Sequence, residues 1–162
     1  MRPINKRQIL IGGFVLLLGL ILYLTQRPPD QTYFLYKFNF PLSLHHVLPK
    51  IFGPVANYLP AFIHVFAFTL ITAGLLSCKK KGCLVICFTW FLIDFAFEIG
   101  QGFGDRSVAI IPKWFSDIPV LENTRAFLLR GTFDFVDLVA MALGALAAYF
   151  VFSVTMERRY TS

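Results

Sequence analysis

Charged side chains are scarce in this sequence. Asp, Glu, Lys and Arg make up 15% of the 162 residues, whereas hydrophobic residues make up 57%; soluble domains carry roughly a quarter charged residues. The mean hydropathy is +0.67. The composition therefore excludes an ordinary soluble domain and predicts an integral membrane protein in a lipid bilayer. The net charge of +6 comes from basic residues at the ends of apolar runs, so we expect no nucleic-acid partner.

Sequence motifs for common chemistry are also lacking. The chain has no HExxH helix, no glycine-rich phosphate loop and no nucleophile motif. Its cysteines are Cys78, Cys83 and Cys87, without the CxxC or His-rich spacing that favours zinc. We therefore expect free thiols at the cytoplasmic end of the molecule, and neither a metal nor a cofactor.

Long apolar runs, in contrast, are abundant. Four windows, near 8–25, 60–77, 83–101 and 133–154, are each long enough to cross a hydrocarbon layer of roughly 30 Å as a helix. They predict an all-α fold, an integral membrane four-helix bundle that forms a single domain over residues 1–162. The first window lacks a small-residue cleavage site, so we interpret it as a retained signal anchor.

The basic residues indicate the orientation of these spans. Three clusters fall on one side of the predicted bundle: Arg2, Lys6 and Arg7; the lysines at 79–81; and Arg158 with Arg159. The basic residues of the other side are diluted over two segments of roughly thirty residues. By the positive-inside rule, both termini of this multi-pass protein are predicted to be cytoplasmic.

Two outer segments connect the spans. The first, 27–59, is rich in proline and aromatic residues, which predicts short pieces lying at the membrane surface. Its adjacent His45 and His46 point in different directions on any regular element, so we do not expect them to bind a metal as a pair. The second segment contains a predicted amphipathic helix, 122–130, with Phe127 and Leu128 toward lipid, and is expected to cap the bundle.

Polar residues interrupt three of the four spans. Asp94, Glu98 and Gln101 fall within roughly 60° of one another on a helix, so they form one polar stripe. Carboxylates facing lipid are costly, and this stripe is therefore expected to face a partner. His64 lies about one turn inside the second span, where an ionisable group is by default functional or partnered; a neutral imidazole bonded to a backbone carbonyl is the alternative.

The fourth span carries the remaining acidic groups. Thr132 is its predicted N-cap, Asp134 falls in its first turn, and Asp137 lies one turn deeper. Counted at about 1.5 Å per residue, these carboxylates share one level with the polar groups of the other spans. We therefore predict an outward-facing acidic pocket. Arg106 and Arg130 flank it as candidate counter-charges, and a bound cationic group is the alternative.

A set of short motifs follows in order along the chain: His64 with Phe66 and Phe68; Glu98 and Gln101; Arg106; then Arg130, Asp134 and Asp137 before Gly144. In this order they resemble the VanZ-like family of small bacterial membrane proteins, whose founder is linked to resistance to the glycopeptide antibiotic teicoplanin. The resemblance covers roughly residues 60–150. It implies a four-helix protein of the cell envelope, located in the bacterial cytoplasmic (inner) membrane.

Three functions remain open on the sequence. The leading hypothesis is a non-enzymatic protein whose acidic pocket binds an envelope component or an amphipathic antibiotic. The second is a membrane-embedded enzyme that acts on a lipid-linked substrate, with His64, Asp94, Glu98 and Asp137 as metal ligands or as general acid and base. The third is an accessory subunit of a larger membrane complex that docks through its aromatic segments and the small residues of the fourth span.

Overall fold

The computed structural model describes residues 3–26, 53–119 and 121–157, and all regular structure in these ranges is helical. The α-helices are α1 (Lys6–Gln26), α2 (Leu59–Leu76), α3 (Lys80–Phe103), α4 (Asp105–Ile110), α5 (Thr124–Arg130) and α6 (Phe135–Glu157). Short 3-10 helices lie at Gly53–Asn57 and Lys113–Asp117. The predictions for most of the first outer segment and for His45 and His46 lie outside the described residues.

Four of these helices, α1, α2, α3 and α6, are long and apolar enough to cross a membrane. Each coincides with one of the four predicted windows. The prediction of an all-helical chain with four such helices is confirmed for the described residues.

Helix α2 lies at the centre of the bundle. It packs against α1, α6 and α3, and α3 packs in turn against α6. The core formed by these helices includes Phe66 and Leu70 of α2, Cys83 and Cys87 of α3, and Phe152 of α6. Because α2 packs against three other helices, the core depends on close approach between helix backbones as well as on side-chain volume.

Two glycines allow close approaches of α1 and of α6 to the backbone of α2. A methyl group added at Gly12 would lie 2.8 Å from the carbonyl oxygen of Ala67, at the contact of α1 with α2. One added at Gly144 would lie 2.6 Å from the carbonyl oxygen of Phe62, at the contact of α6 with α2. The predicted close packing through Gly144 and Ala148 agrees with this geometry, since Ala148 is fully buried.

Polar contacts hold the start of α1 and the end of α6 at the same end of the bundle. The amide of Gln8 donates to the hydroxyl of Thr155 over 2.9 Å, joining the start of α1 to the end of α6. The backbone N–H of Asn5 donates to the carbonyl of Gly74 over 2.9 Å, near the end of α2. Exposed basic side chains gather here, and we call this the basic end: Lys6, Arg7, Lys79, Lys80 and Lys81.

The connection between α3 and α6 folds back against the opposite end of the bundle. Gly104, with φ of 48°, ends α3, and α5 packs against both α3 and α4. The amphipathic helix predicted at 122–130 is present as α5, but the predicted exposure of Leu128 to lipid is wrong. Leu128 is only 4% exposed because it packs against Gly100 of α3.

The start of α6 also differs from the prediction. Thr132 is not the N-cap, because the helix begins at Phe135. The side chain of Asp134 accepts a hydrogen bond from the backbone N–H of Val136 over 2.8 Å, so Asp134 caps the helix. A carboxylate at the N-cap is favoured by the helix dipole. Thr132 lies two residues before the N-cap position.

The α1–α2 contact gives a matched stability test at two adjacent glycines. Gly12→Ala forces a methyl group against the carbonyl of Ala67, which should cost about 1–3 kcal/mol through overpacking. Gly13→Ala meets nothing within 4 Å and has the same helix-propensity gain. Thermal unfolding in detergent should therefore show a lower Tm for Gly12→Ala alone; equal Tm values for the two variants would contradict the packing.

Candidate functional site

The polar stripe of α3 faces the protein interior at its two carboxylates. Asp94 is 8% exposed and Glu98 is 5% exposed. Carboxylates are almost never buried to this extent unless they are paired. The two residues lie one helical turn apart, and each has a partner on a different neighbouring helix.

Asp94 is paired with His64 of α2. The Nδ1 atom of His64 and Oδ2 of Asp94 are 2.6 Å apart, a short hydrogen bond between a carboxylate and an imidazole. The contact fixes the orientation of the imidazole ring, because one ring nitrogen is held by a buried group. The prediction that His64 is partnered is therefore confirmed, with a carboxylate as the partner instead of a backbone carbonyl.

Aromatic rings surround the same imidazole. The ring of Phe68 contacts it edge-on at a centroid distance of 4.4 Å, and that of Trp90 lies at 5.9 Å. Phe68 and Trp90 stack on each other at 4.8 Å. The indole N–H of Trp90 donates to the hydroxyl of Thr72 over 3.1 Å, which holds the stacked pair in place.

Glu98 is bound to the start of α6. Its Oε1 accepts a hydrogen bond from the backbone N–H of Asp134 over 2.6 Å. That N–H lies at the start of α6, where the backbone N–H groups have no acceptor inside the helix. A carboxylate is favoured there by the positive end of the helix dipole. Glu98 and the side chain of Asp134 thus satisfy neighbouring backbone donors, and together they fix α3 against α6.

Asp137 adds a further acidic group beside this contact. It is half-buried in the first turn of α6, and its carboxylate lies close enough to Glu98 for the two charges to repel. The carboxyl group of Asp134 adds to this repulsion. A bound cation, an ammonium group or a shared proton would relieve this repulsion.

The remaining predicted site residues are Gln101, Arg106 and Arg130. The side chain of Gln101 lies against the backbone of Gly131, just before α6, where a Cβ atom would collide with it. Arg130 is exposed at the end of α5. Arg106 is exposed on α4 and, within the described part of the chain, forms no ion pair with these carboxylates. Its role as a counter-charge stays a prediction.

The structure thus brings the predicted residues into two adjoining contacts along α3. The first contact is His64 with Asp94, and the second is Glu98 with the start of α6, next to Asp137. We call these residues together the acidic site. In residues 3–26, 53–119 and 121–157, no group of three or more His, Cys, Asp or Glu residues has an arrangement that could hold a metal ion.

Sequence reasoning missed two residues of this region. Trp90 lies one turn before Asp94 on α3, so the period of the helix could have placed it beside His64. A side chain at Gly131 would force the side chain of Gln101 to move, because Gln101 occupies the space next to it. No local pattern indicates this contact, since it depends on how α3 meets the connection before α6.

Comparison with known proteins gives no match, whether with protein-family models, with curated proteins or with solved structures.

Proposed function

We propose that the chain is a multi-pass membrane protein whose acidic site lies on the extracytoplasmic side and binds an amphipathic ligand with a cationic group. The four long apolar helices support insertion into a membrane. The exposed basic end supports a cytoplasmic location for both termini, in agreement with the positive-inside rule. The acidic site then lies in the half of the bilayer that faces away from the cytoplasm.

The single observation that carries the binding proposal is the burial of Asp94 and Glu98 in contact with two different helices. Stability alone would be served at least as well by apolar residues at these positions, because removing two carboxylates from water is costly even when they are partnered. A site that recognises a cationic group explains why the carboxylates are present together.

The resemblance to the VanZ-like family suggests the biological setting. It supports a place in the bacterial cytoplasmic membrane and a ligand that is an envelope component or a glycopeptide-type antibiotic. Several of the residues that carry the resemblance, among them His64, Glu98 and Asp137, also belong to the acidic site. We therefore propose that binding by this site, without a chemical step, underlies any resistance that the protein confers.

A second candidate, a membrane-embedded enzyme, is favoured by the geometry of His64. Asp94 holds Nδ1 of the ring, and within the described residues Nε2 has no hydrogen-bond partner. This is the arrangement in which a carboxylate orients a histidine to act as a general base. The two candidates differ in outcome, because an enzyme would return a chemically altered lipid-linked substrate and a binding protein would not.

The orientation can be tested through Cys78, which lies in the turn between α2 and α3 at the basic end. A membrane-impermeant maleimide should label it in inverted vesicles and not in intact cells.

Burial raises the pKa of the Cys78 thiol above its ordinary value, so less thiolate is present at neutral pH and labelling should accelerate as the pH rises through the alkaline range. Buried Cys83 and Cys87 should stay unlabelled; labelling of intact cells would contradict the orientation.

The binding proposal can be tested with near-isosteric substitutions of the acidic site. Glu98→Gln keeps a carbonyl oxygen that can accept from Asp134, and Asp137→Asn keeps the size of the side chain, but both remove charge. Each should weaken binding of the antibiotic teicoplanin, or any teicoplanin resistance of cells that express the protein, by roughly ten-fold or more.

Asp117→Asn provides the control, since Asp117 is an exposed carboxylate outside the acidic site, in the 3-10 helix Lys113–Asp117. Protein abundance should be equal in all variants, as judged by immunoblot. If both site variants behave as the unmodified protein does, the acidic site is not the binding site.

A further inference from the structure

Two buried thiols face each other on α3, near the basic end of the bundle. Cys83 and Cys87 are one helical turn apart, so their side chains lie on the same face of the helix. Their Sγ atoms are 4.0 Å apart, and the two residues are 0% and 7% exposed. The spacing differs from CxxC and predicts free thiols, but the helix brings the two sulfur atoms together. We call these two residues the thiol pair.

A buried hydroxyl group lies beside the thiol pair. Thr69 of α2 is fully buried, and among the described residues its Oγ1 atom has no hydrogen-bond partner. The hydroxyl lies next to the thiol of Cys87. A buried hydroxyl without a partner is unfavourable. A thiolate at Cys87 would be a strong acceptor for it, so the arrangement suits the deprotonated form of this side chain.

The start of α3 also favours negative charge on these sulfur atoms. Cys83 lies in the first turn of the helix, where the positive end of the helix dipole stabilises an anion. The exposed lysines at 79–81 surround the same helix end. Because metal binding requires thiolates in place of thiols, this helix end stabilises a metal–thiolate complex.

The number of ligands and their distance select the kind of ion. Thiolates are soft ligands that favour Cu(I). Metal–sulfur bonds of roughly 2.3 Å place two sulfur atoms about 4.6 Å apart in a linear complex, and closer in a bent one. The observed 4.0 Å therefore fits a bent two-coordinate ion. Zinc needs a larger ligand set, which the described part of the chain does not bring together.

We propose that the thiol pair binds one Cu(I) ion, with the hydroxyl of Thr69 donating a hydrogen bond to the thiolate of Cys87. Two Cu–S bonds form, the two thiol protons are released to water, and copper stays Cu(I) throughout. Cys78, which is partly exposed and packs against the same core, provides a path for the ion by thiolate exchange. The inference goes beyond the proposed function, because the acidic site contributes no ligand.

A Cu(I) titration of the full-length protein in detergent, without oxygen, tests the proposal. The ion is supplied as its coloured complex with bicinchoninate, and the parent protein should remove one ion per chain from it. Cys83→Ser and Cys87→Ser should each weaken binding by roughly 100-fold or more, because a single thiolate competes poorly with the chelator. Cys78→Ser is the matched control and should still bind one ion. X-ray absorption at the copper edge should show two sulfur ligands in the parent.

Thr69→Val keeps the shape of the side chain and removes its hydroxyl. It should weaken Cu(I) binding by roughly ten-fold, through loss of a hydrogen bond to a thiolate. The Tm of the metal-free variant should equal or exceed that of the parent, because the hydroxyl has no partner among the described residues. A lower metal-free Tm with unchanged copper affinity would overturn the role of Thr69. Size-exclusion chromatography verifies that each variant is folded.

Failure of the parent protein to take copper from bicinchoninate would overturn the inference. So would an equal loss of binding in all three cysteine variants, which would indicate unspecific thiol binding, or nitrogen and oxygen ligands in the X-ray absorption spectrum. Glu98→Gln and Asp137→Asn should leave copper binding unchanged. Failure of the thiol pair and failure of the acidic site are therefore distinguishable.

Discussion

The burial of two carboxylates on α3 is the constraint on which the rest of the structure depends. Asp94 and Glu98 lie one turn apart on a largely apolar helix, so α3 can rotate very little before one of them faces an environment that cannot solvate it. Each carboxylate is satisfied by a different neighbour, through the imidazole of His64 on α2 and the backbone before α6. These two contacts set the rotation of α3 and hold three helices in one relative arrangement.

The two ends of the bundle are stabilised by different physical means. At the basic end, neutral groups such as Gln8, Thr155 and Asn5 form short hydrogen bonds, and the charges point outward. At the other end, acidic groups are turned inward and approach one another closely enough to repel. Repulsion of this kind weakens the fold unless a proton or a counter-charge neutralises one of the carboxylates.

The sequence predicts the helices well because apolar runs of membrane length have few alternatives to a helix. The inward orientation of Asp94 and Glu98 also follows from sequence, since their spacing defines one helix face. The partners of these two carboxylates, however, do not follow from the sequence. The contact of His64 with Asp94 and that of Glu98 with the backbone of Asp134 depend on how the helices cross. The crossing in turn depends on Gly12 and Gly144, which contact residues far away in the sequence. The burial of Leu128 and the capping by Asp134 were missed for the same reason, because local polarity does not specify which surface a neighbour covers.

The strength of the contact between His64 and Asp94 can be measured directly. A double-mutant cycle with His64→Phe, Asp94→Leu and the double variant, followed by unfolding in detergent, gives the coupling between the two side chains. We expect a coupling of about 1–3 kcal/mol, because His64→Phe alone leaves a buried carboxylate without its partner and the double variant removes both groups. Strictly additive effects of the two substitutions would show that the side chains do not interact, and would contradict the joining of α2 and α3 at this site.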